Sequence, residues 1–202
     1  MSDRIKWNLK YKVRIMLMKE PTANSRLKEL STYLTGGKAL DLACGLGGNS
    51  LFLARMNYHI EAIDISDVAI DYIREQAKAH HLSIHPKVCD LTELNKLDLH
   101  RNTFDLVVIT NYLDRRLFPI VKEIIKENGY FFMETFYQSP QEDNQGVSDQ
   151  YKLKPKELLD EFRDWQILLY EEHKQEAKQT VFCQKPSTKM DVKKCQVHSE
   201  SE

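Results

Sequence analysis

Net charge is almost absent from this chain. Its 29 Lys and Arg against 30 Asp and Glu leave −1, and the two signs are interspersed. With no basic stripe, nucleic acid is disfavoured as a partner. The four cysteines, Cys44, Cys89, Cys183 and Cys195, form no C-x-x-C pair and no zinc spacing. They suit small buried thiols in a reducing compartment. No apolar run is long enough to span a bilayer, and no apolar segment of signal-peptide type follows the charged first residues. A cytoplasmic location and no membrane partner are therefore expected. Histidine is sparse: His80 and His81 fall at a predicted helix end and His173 in a predicted turn, and no pair has metal-ligand spacing. No metal is expected. Internal repeats are also lacking. The 202 residues suit one domain, expected over 1–185. The tail 186–202 has little to bury and is expected to be disordered.

The densest signal is residues 39–50, Ala-Leu-Asp-Leu-Ala-Cys-Gly-Leu-Gly-Gly-Asn-Ser. A short apolar strand carries an acid, Asp41. A turn of small residues follows, and Leu51-Phe52-Leu53-Ala54 continues as a helix. Glycine lets the backbone turn sharply and approach a ligand closely, and a helix N-terminus offers unsatisfied N–H groups. Only part of the dinucleotide pattern G-x-G-x-x-G is met, since Gly45 and Gly47 are followed by Ser50. An acid before the glycines repels a pyrophosphate and suits a ligand that carries an ammonium group. A tight turn in some other α/β domain is the plain alternative.

Two further strands end in the same way. Residues 59–64 close on Asp64, 19 residues beyond Gly45, where nucleotide-binding sheets place the acid that holds ribose hydroxyls. Ser66 suits the cap of the next helix, with Asp67 in its first turn. Residues 84–88 lead to Asp90. One such acid is usually a cap or a solvated loop charge; three in phase favour a ligand crevice at the carboxyl ends of the strands.

With these segments the chain resembles class I S-adenosylmethionine (SAM)-dependent methyltransferases over most of residues 4–185. Beyond the shared core it is similar to the small bacterial tellurite-resistance (TehB-like) methyltransferases. That closer likeness rests on Trp7 to Tyr11, Asn111 to Arg115, Met133 to Phe136 and Tyr151 to Leu159, running on to Trp165 and Tyr170-Glu171-Glu172. The resemblance implies SAM as cofactor, held by Asp41, Ala43, Gly45, Gly47, Asn49, Asp64, Ile65, Asp90 and Leu91. Asp41 would meet the methionine amino group, Asp64 the ribose, Ile65 the adenine face, and Asp90-Leu91 the adenine edge. The family often carries His where this chain has Asp114.

The rest of the chain fits a Rossmann-like α/β fold. Ile5, Leu9 and Val13 share one helical face and Leu27, Leu30 and Leu34 another, predicting an N-terminal helical cap over 4–35. Strands are expected at 38–43, 59–64, 84–88, 104–110 and 130–135. Helices are expected at 48–56, 66–80 and 115–127. This alternation means a parallel sheet. Residues 137–152 form a long polar loop of a kind that is often functional. A helix over 155–163 and a hairpin of 165–172 with 179–184 complete a mostly parallel seven-stranded sheet with an antiparallel C-terminal pair.

On the acceptor side the candidates are Tyr112 and Arg115. Arg115 follows the fourth strand, where a guanidinium suits an oxyanion. No proline follows Asn111, unlike the motif of amino-methyltransferases. The functional expectation is methyl transfer from SAM to a small molecule: a chalcogen oxyanion, a thiol or another metabolite. An RNA or protein methyltransferase, a SAM-binding regulator without turnover, and an NAD-dependent oxidoreductase are the alternatives.

Overall fold

The computed structural model describes residues 2–17, 20–93, 96–139 and 146–187. Seven strands form one sheet: β1 Gly37–Leu42, β2 Tyr58–Asp64, β3 Ile84–Val88, β4 Phe104–Thr110, β5 Ile125–Phe136, β6 Gln166–His173 and β7 Lys178–Gln184. Their order is β3-β2-β1-β4-β5-β7-β6. The first five run parallel, while β7 pairs antiparallel with both β5 and β6. This is the expected α/β sheet with its C-terminal hairpin.

Alternation along β1 feeds two cores. Leu40 and Leu42 pack on one face with Phe104, Leu117, Phe131 and Phe162. Ala39 packs on the other with Leu53, Ile60, Ile70 and Phe182. Fully burying one such large apolar side chain contributes about 1.5–3 kcal/mol. Helices α3 (Gly48–Arg55), α4 (Asp67–Ala79), α5 (Leu117–Ile124) and α6 (Glu157–Glu161) cover the sheet. Ser66 caps α4 as expected, its Oγ accepting from Ala69 N–H at 3.2 Å.

Three expectations need correction. The helix expected over 115–127 spans only Leu117–Ile124, and β5 begins at Ile125. β5 carries an irregularity around Gly129: pairing with β4 jumps from Ile125 to Tyr130. A Cβ on Gly129 would lie 2.8 Å from Ile125 Cγ2, so only glycine fits there. The helix expected from residue 155 begins at Glu157. The N-terminal region holds two helices as expected, but the apolar face of the first is not the one buried. α1 (Asp3–Met16) and α2 (Ser25–Glu29) are separate, with a 3-10 turn after α2. Leu27 and Leu34 are buried, but Ile5, Leu9 and Val13 are 51%, 51% and 55% exposed. The helical period was right, and the face turned inward is the opposite one, carrying Tyr11.

The proposed tail, 186–202, falls almost wholly outside the described residues, as does the middle of the 137–152 loop. No described helix is long and apolar enough to cross a membrane.

Candidate functional site

The carboxyl ends of β1, β2, β3, β4 and β5 share one edge of the sheet, and strand order reverses between β1 and β4. Ligands of open α/β sheets bind at such a switch point. A cavity of about 1120 Å³ opens there.

The glycine loop forms its floor. Ala43 and Gly45 have φ of +55° and +56°. Gly45 lines the cavity, and a Cβ on it would lie 3.0 Å from the Tyr11 hydroxyl. Gly48 also lines the cavity, and a Cβ there would clash with the Thr22 carbonyl. The glycines thus admit the N-terminal segment as well as a ligand.

Asp64 lies at the end of β2, 4% exposed. Its Oδ2 accepts from Gly45 N–H and its Oδ1 from Ser66 N–H, both at 2.9 Å. Burial raises its pKa, and those backbone donors oppose the shift. Ile65, Asp90 and Leu91 continue the same wall. Asp90 Oδ1 accepts from the backbone N–H and the hydroxyl of Thr92 at 2.9 and 2.7 Å. Asn49 faces the cavity from α3. Its Oδ1 accepts from Asn24 N–H at 2.9 Å, and its Nδ2 donates to Thr110 Oγ1 at 3.1 Å.

Two of the expected cofactor residues stand behind the wall. Asp41 is fully buried in β1 and absent from the cavity lining. Ser50 Oγ donates to its Oδ2 at 2.6 Å, while Oδ1 has no hydrogen-bond partner among the described residues. Burial, aided by the nearby Asp64 charge, pushes its pKa up to about 7 against the Ser50 hydrogen bond. Asp41 therefore does not line the cavity itself; its strand turns it toward α3, behind the loop. Gly47 is likewise structural. Its φ is +79°, and a Cβ on it would lie 2.7 Å from Ile73 Cγ1, so its task is to bring the loop against α4.

The N-terminal segment closes the cavity from above, a contribution that neither the motifs nor the apolar periodicity disclosed. Trp7, Lys10, Tyr11 and Arg14 of α1 line it, followed by residues 20–26. Trp7 stacks on Tyr11, Lys10 lies over Trp7, and Arg14 lies over Tyr11. Burial first, and Asp64 second, raise the Tyr11 phenol well above its ordinary pKa. α1 is pinned to α4: Asn8 Nδ2 donates to Asp67, Ser66 Oγ donates to Asn8 Oδ1, and Arg4 pairs with Asp67 at 3.1 Å. Asp67 thus does more than favour the start of its helix.

Glu134, near the end of β5, is 1% exposed and lines the cavity. It accepts from Asn24 Nδ2 (2.7 Å), Arg26 (2.8 Å), Lys178 (3.2 Å) and Thr180 (2.9 Å). Burial raises its pKa, but these four donors outweigh burial and the net shift is downward. Arg26 reaches on to Glu176 at 2.8 Å. The capping segment is held down by this buried ionic knot.

Tyr112 lines the cavity as expected. Burial, with the charges of Asp114 and Asp90, pushes its phenol up to about 12. Arg115 does not line the cavity. It pairs with Glu157 through Nε at 2.5 Å and Nη2 at 2.9 Å, and donates to the carbonyls of Lys152 and Gln150 at 3.0 and 3.4 Å. Its expected place against the acceptor is corrected, because the fork is already committed to protein oxygens. Arg116 pairs with Asp114, which holds that carboxyl below its ordinary pKa.

A family model described as "Tellurite resistance protein TehB" matches residues 16–190. The chain belongs to the TehB family. Within that TehB family, the chain is 26% identical over 149 residues to the "Probable S-adenosyl-L-methionine-dependent methyltransferase TehB" of Haemophilus influenzae, a match covering 71% of this chain and 51% of that protein. The chain spans about half the length of that relative. It is also 28% identical over 131 residues to phosphoethanolamine N-methyltransferase 1 of Arabidopsis thaliana, covering 62% of this chain and 26% of the plant protein. The crystal structure of TehB from Haemophilus influenzae superposes with a TM-score of 0.71 at 20% identity, covering 81% of this chain and 62% of that one. A SAM-dependent methyltransferase from Aquifex aeolicus gives 0.61 at 18% identity, covering 79% of this chain and 89% of that chain. These structures share the class I methyltransferase fold described above.

Proposed function

We propose that this chain is a SAM-dependent methyltransferase acting on a small molecule that arrives already nucleophilic. The observation that carries the reading is Asp64: a buried acid at the end of β2, hydrogen-bonded to the glycine loop and lining the cavity. The TehB family membership supports it. SAM supplies a methyl group on a sulfonium, and the fit to this cavity is chemical. Asp64 suits the ribose hydroxyls; Ile65, Asp90 and Leu91 suit the adenine. Lys10 and Arg14 are cations that lie over rings and join no ion pair among the described residues, so they suit the carboxylate. Asp41 Oδ1, buried without a partner among the described residues, suits positive charge nearby.

The remaining chemistry belongs to positioning. Aligning acceptor, methyl and sulfur contributes up to roughly 7–11 kcal/mol to lowering a barrier. No histidine lines the described cavity. Tyr11 and Tyr112 are held protonated, and Glu134 is committed to four donors. A neutral amine or hydroxyl would need a base. A thiolate, or the lone pair of a reduced selenium or tellurium centre, would not. Tyr112 serves as a protonated wall that can donate a hydrogen bond.

Calorimetry with S-adenosylhomocysteine (SAH) and with NAD tests the cofactor. Micromolar-class SAH binding and no specific NAD binding are expected; NAD binding without SAH binding would defeat the proposal. A SAM-consumption screen over tellurite, selenite, thiols and cell extract tests the acceptor. Turnover confined to a macromolecular fraction would favour RNA or protein as the substrate.

A further inference from the structure

The guanidinium that cannot meet the acceptor has a different task. We propose that Arg115 is a positioning residue that staples together the two walls on the acceptor side of the cavity; the inference rests on the methyltransferase reading only for the identity of the ligand. One wall is the segment after β4, where Asn111 and Tyr112 line the cavity. Asn111 adopts φ +54°, and its N–H donates to the Glu134 carbonyl at 2.8 Å. The other wall is the segment leading into α6, where Gly146 and Val147 line the cavity.

Three anchors hold this second wall. Leu153 is buried and forms an isolated bridge to Tyr137. A 3-10 turn over Asp149–Tyr151 closes on itself, with Tyr151 N–H bonded to the Ser148 carbonyl and Lys152 N–H to the Asp149 carbonyl. Arg115 supplies the third and joins the walls directly. It engages Glu157 with two nitrogens and caps the carbonyls of Gln150 and Lys152. Glu157 is fixed in turn by the Lys154 N–H at 2.7 Å. A planar fork can serve a carboxylate and adjacent carbonyls at once; a lysine ammonium offers one compact charge and no such geometry. The pair is partly exposed, so its direct contribution to global stability is small. Its effect is local, on the residues between Gly146 and Lys152.

The test uses the full chain with R115A, R115K, E157Q and the reversed pair R115E/E157R. Hydrogen exchange is read at the amides of Tyr151 and Lys152, SAH affinity by calorimetry, and turnover with the acceptor returned by the consumption screen. R115A and E157Q should speed exchange at those amides at least tenfold. SAH affinity should stay within threefold. KM for the acceptor should rise about tenfold, with kcat within threefold. R115K should recover little, and R115E/E157R should also exchange fast, because a carboxylate at 115 cannot donate to the Gln150 and Lys152 carbonyls and an arginine at 157 cannot accept from Lys154 N–H. Unchanged exchange in R115A overturns the staple. So does faster exchange with an unmoved acceptor KM, or recovery of turnover by R115K while exchange stays fast, which would mean that charge at 115 acts on the acceptor itself. Failure of the wild-type chain to bind SAH would instead count against the methyltransferase reading, while the exchange measurement still decides the staple.

Discussion

The two halves of the cavity are built differently. The motif acid Asp64 is held by near neighbours in the chain, Ser66 two residues away and Gly45 nineteen away, although Asn49 reaches Thr110 over 61 residues. On the acceptor side, the ties span long stretches: Arg115 to Glu157 over 42 residues, Arg26 to Glu134 over 108 and Arg26 to Glu176 over 150. Local ties need one strand–loop–helix unit and therefore leave a motif. Distant ties between ordinary arginines and glutamates leave none.

Several measurements would sharpen or break this contrast. The largest effect is expected at the floor. Asp64→Ala should weaken SAH binding by two orders of magnitude or more, since each bond to a charged group contributes roughly 1.5–3 kcal/mol and two ribose hydroxyls are at stake. Wild-type affinity in calorimetry would remove Asp64 from the cofactor site.

Asp41 comes next and is read through pH. Its folded pKa of about 7 lies above the ordinary 3.8. The folded state therefore holds the proton more tightly, so this group's contribution is fully present below about pH 4 and is lost as pH rises through 7. Asp41→Asn lacks that loss. Its stability relative to wild type should climb between pH 4 and 8, by up to about 4 kcal/mol. A flat difference in denaturant titrations across that range would show that Asp41 is ionised at ordinary cost.

The acceptor side should respond more in stability than in SAH affinity. Arg26→Ala leaves Glu134 buried with one strong donor missing. Removing one partner of such a pair costs roughly 3 kcal/mol, and the melting temperature should fall by about 10 °C. A drop of a degree or less would mean that Lys178, Thr180 and Asn24 suffice.

Asp67→Ala should do less. It loses an exposed pair with Arg4 and a favourable helix-end charge, about 1 kcal/mol together. SAH affinity should fall less than threefold, through loosening of α1. An effect equal to that of Asp64→Ala would place Asp67 in the site. The smallest change is expected from deleting 188–202, whose sequence offers little apolar surface; a shift in melting temperature above two degrees would contradict that.

How much of this was legible follows the same division. The strand-end acids, the Ser66 cap and the parallel sheet were readable because each depends on a few consecutive residues and a fixed period. Seven of the nine expected cofactor residues line the cavity. Asp41 and Gly47 belong to the motif but are not among the residues that line the cavity, since a linear pattern does not show which of its members the fold turns toward the open space. The inward face of α1 was misjudged for a related reason. Periodicity identified the apolar stripe of Ile5, Leu9 and Val13, yet the cavity recruits the aromatic and cationic face instead.

By itself, then, the sequence determined the fold class, the family and the floor of the site, because hydrophobic alternation, glycine placement and strand-end acids act over short distances along the chain. Only the tertiary structure decided that Arg115 faces Glu157 rather than an acceptor, and that Arg26 and Glu134 clamp the N-terminal segment. Such pairings depend on which surfaces the packed sheet brings within about 3 Å, the reach of a hydrogen bond, and nothing local in the chain encodes that distance.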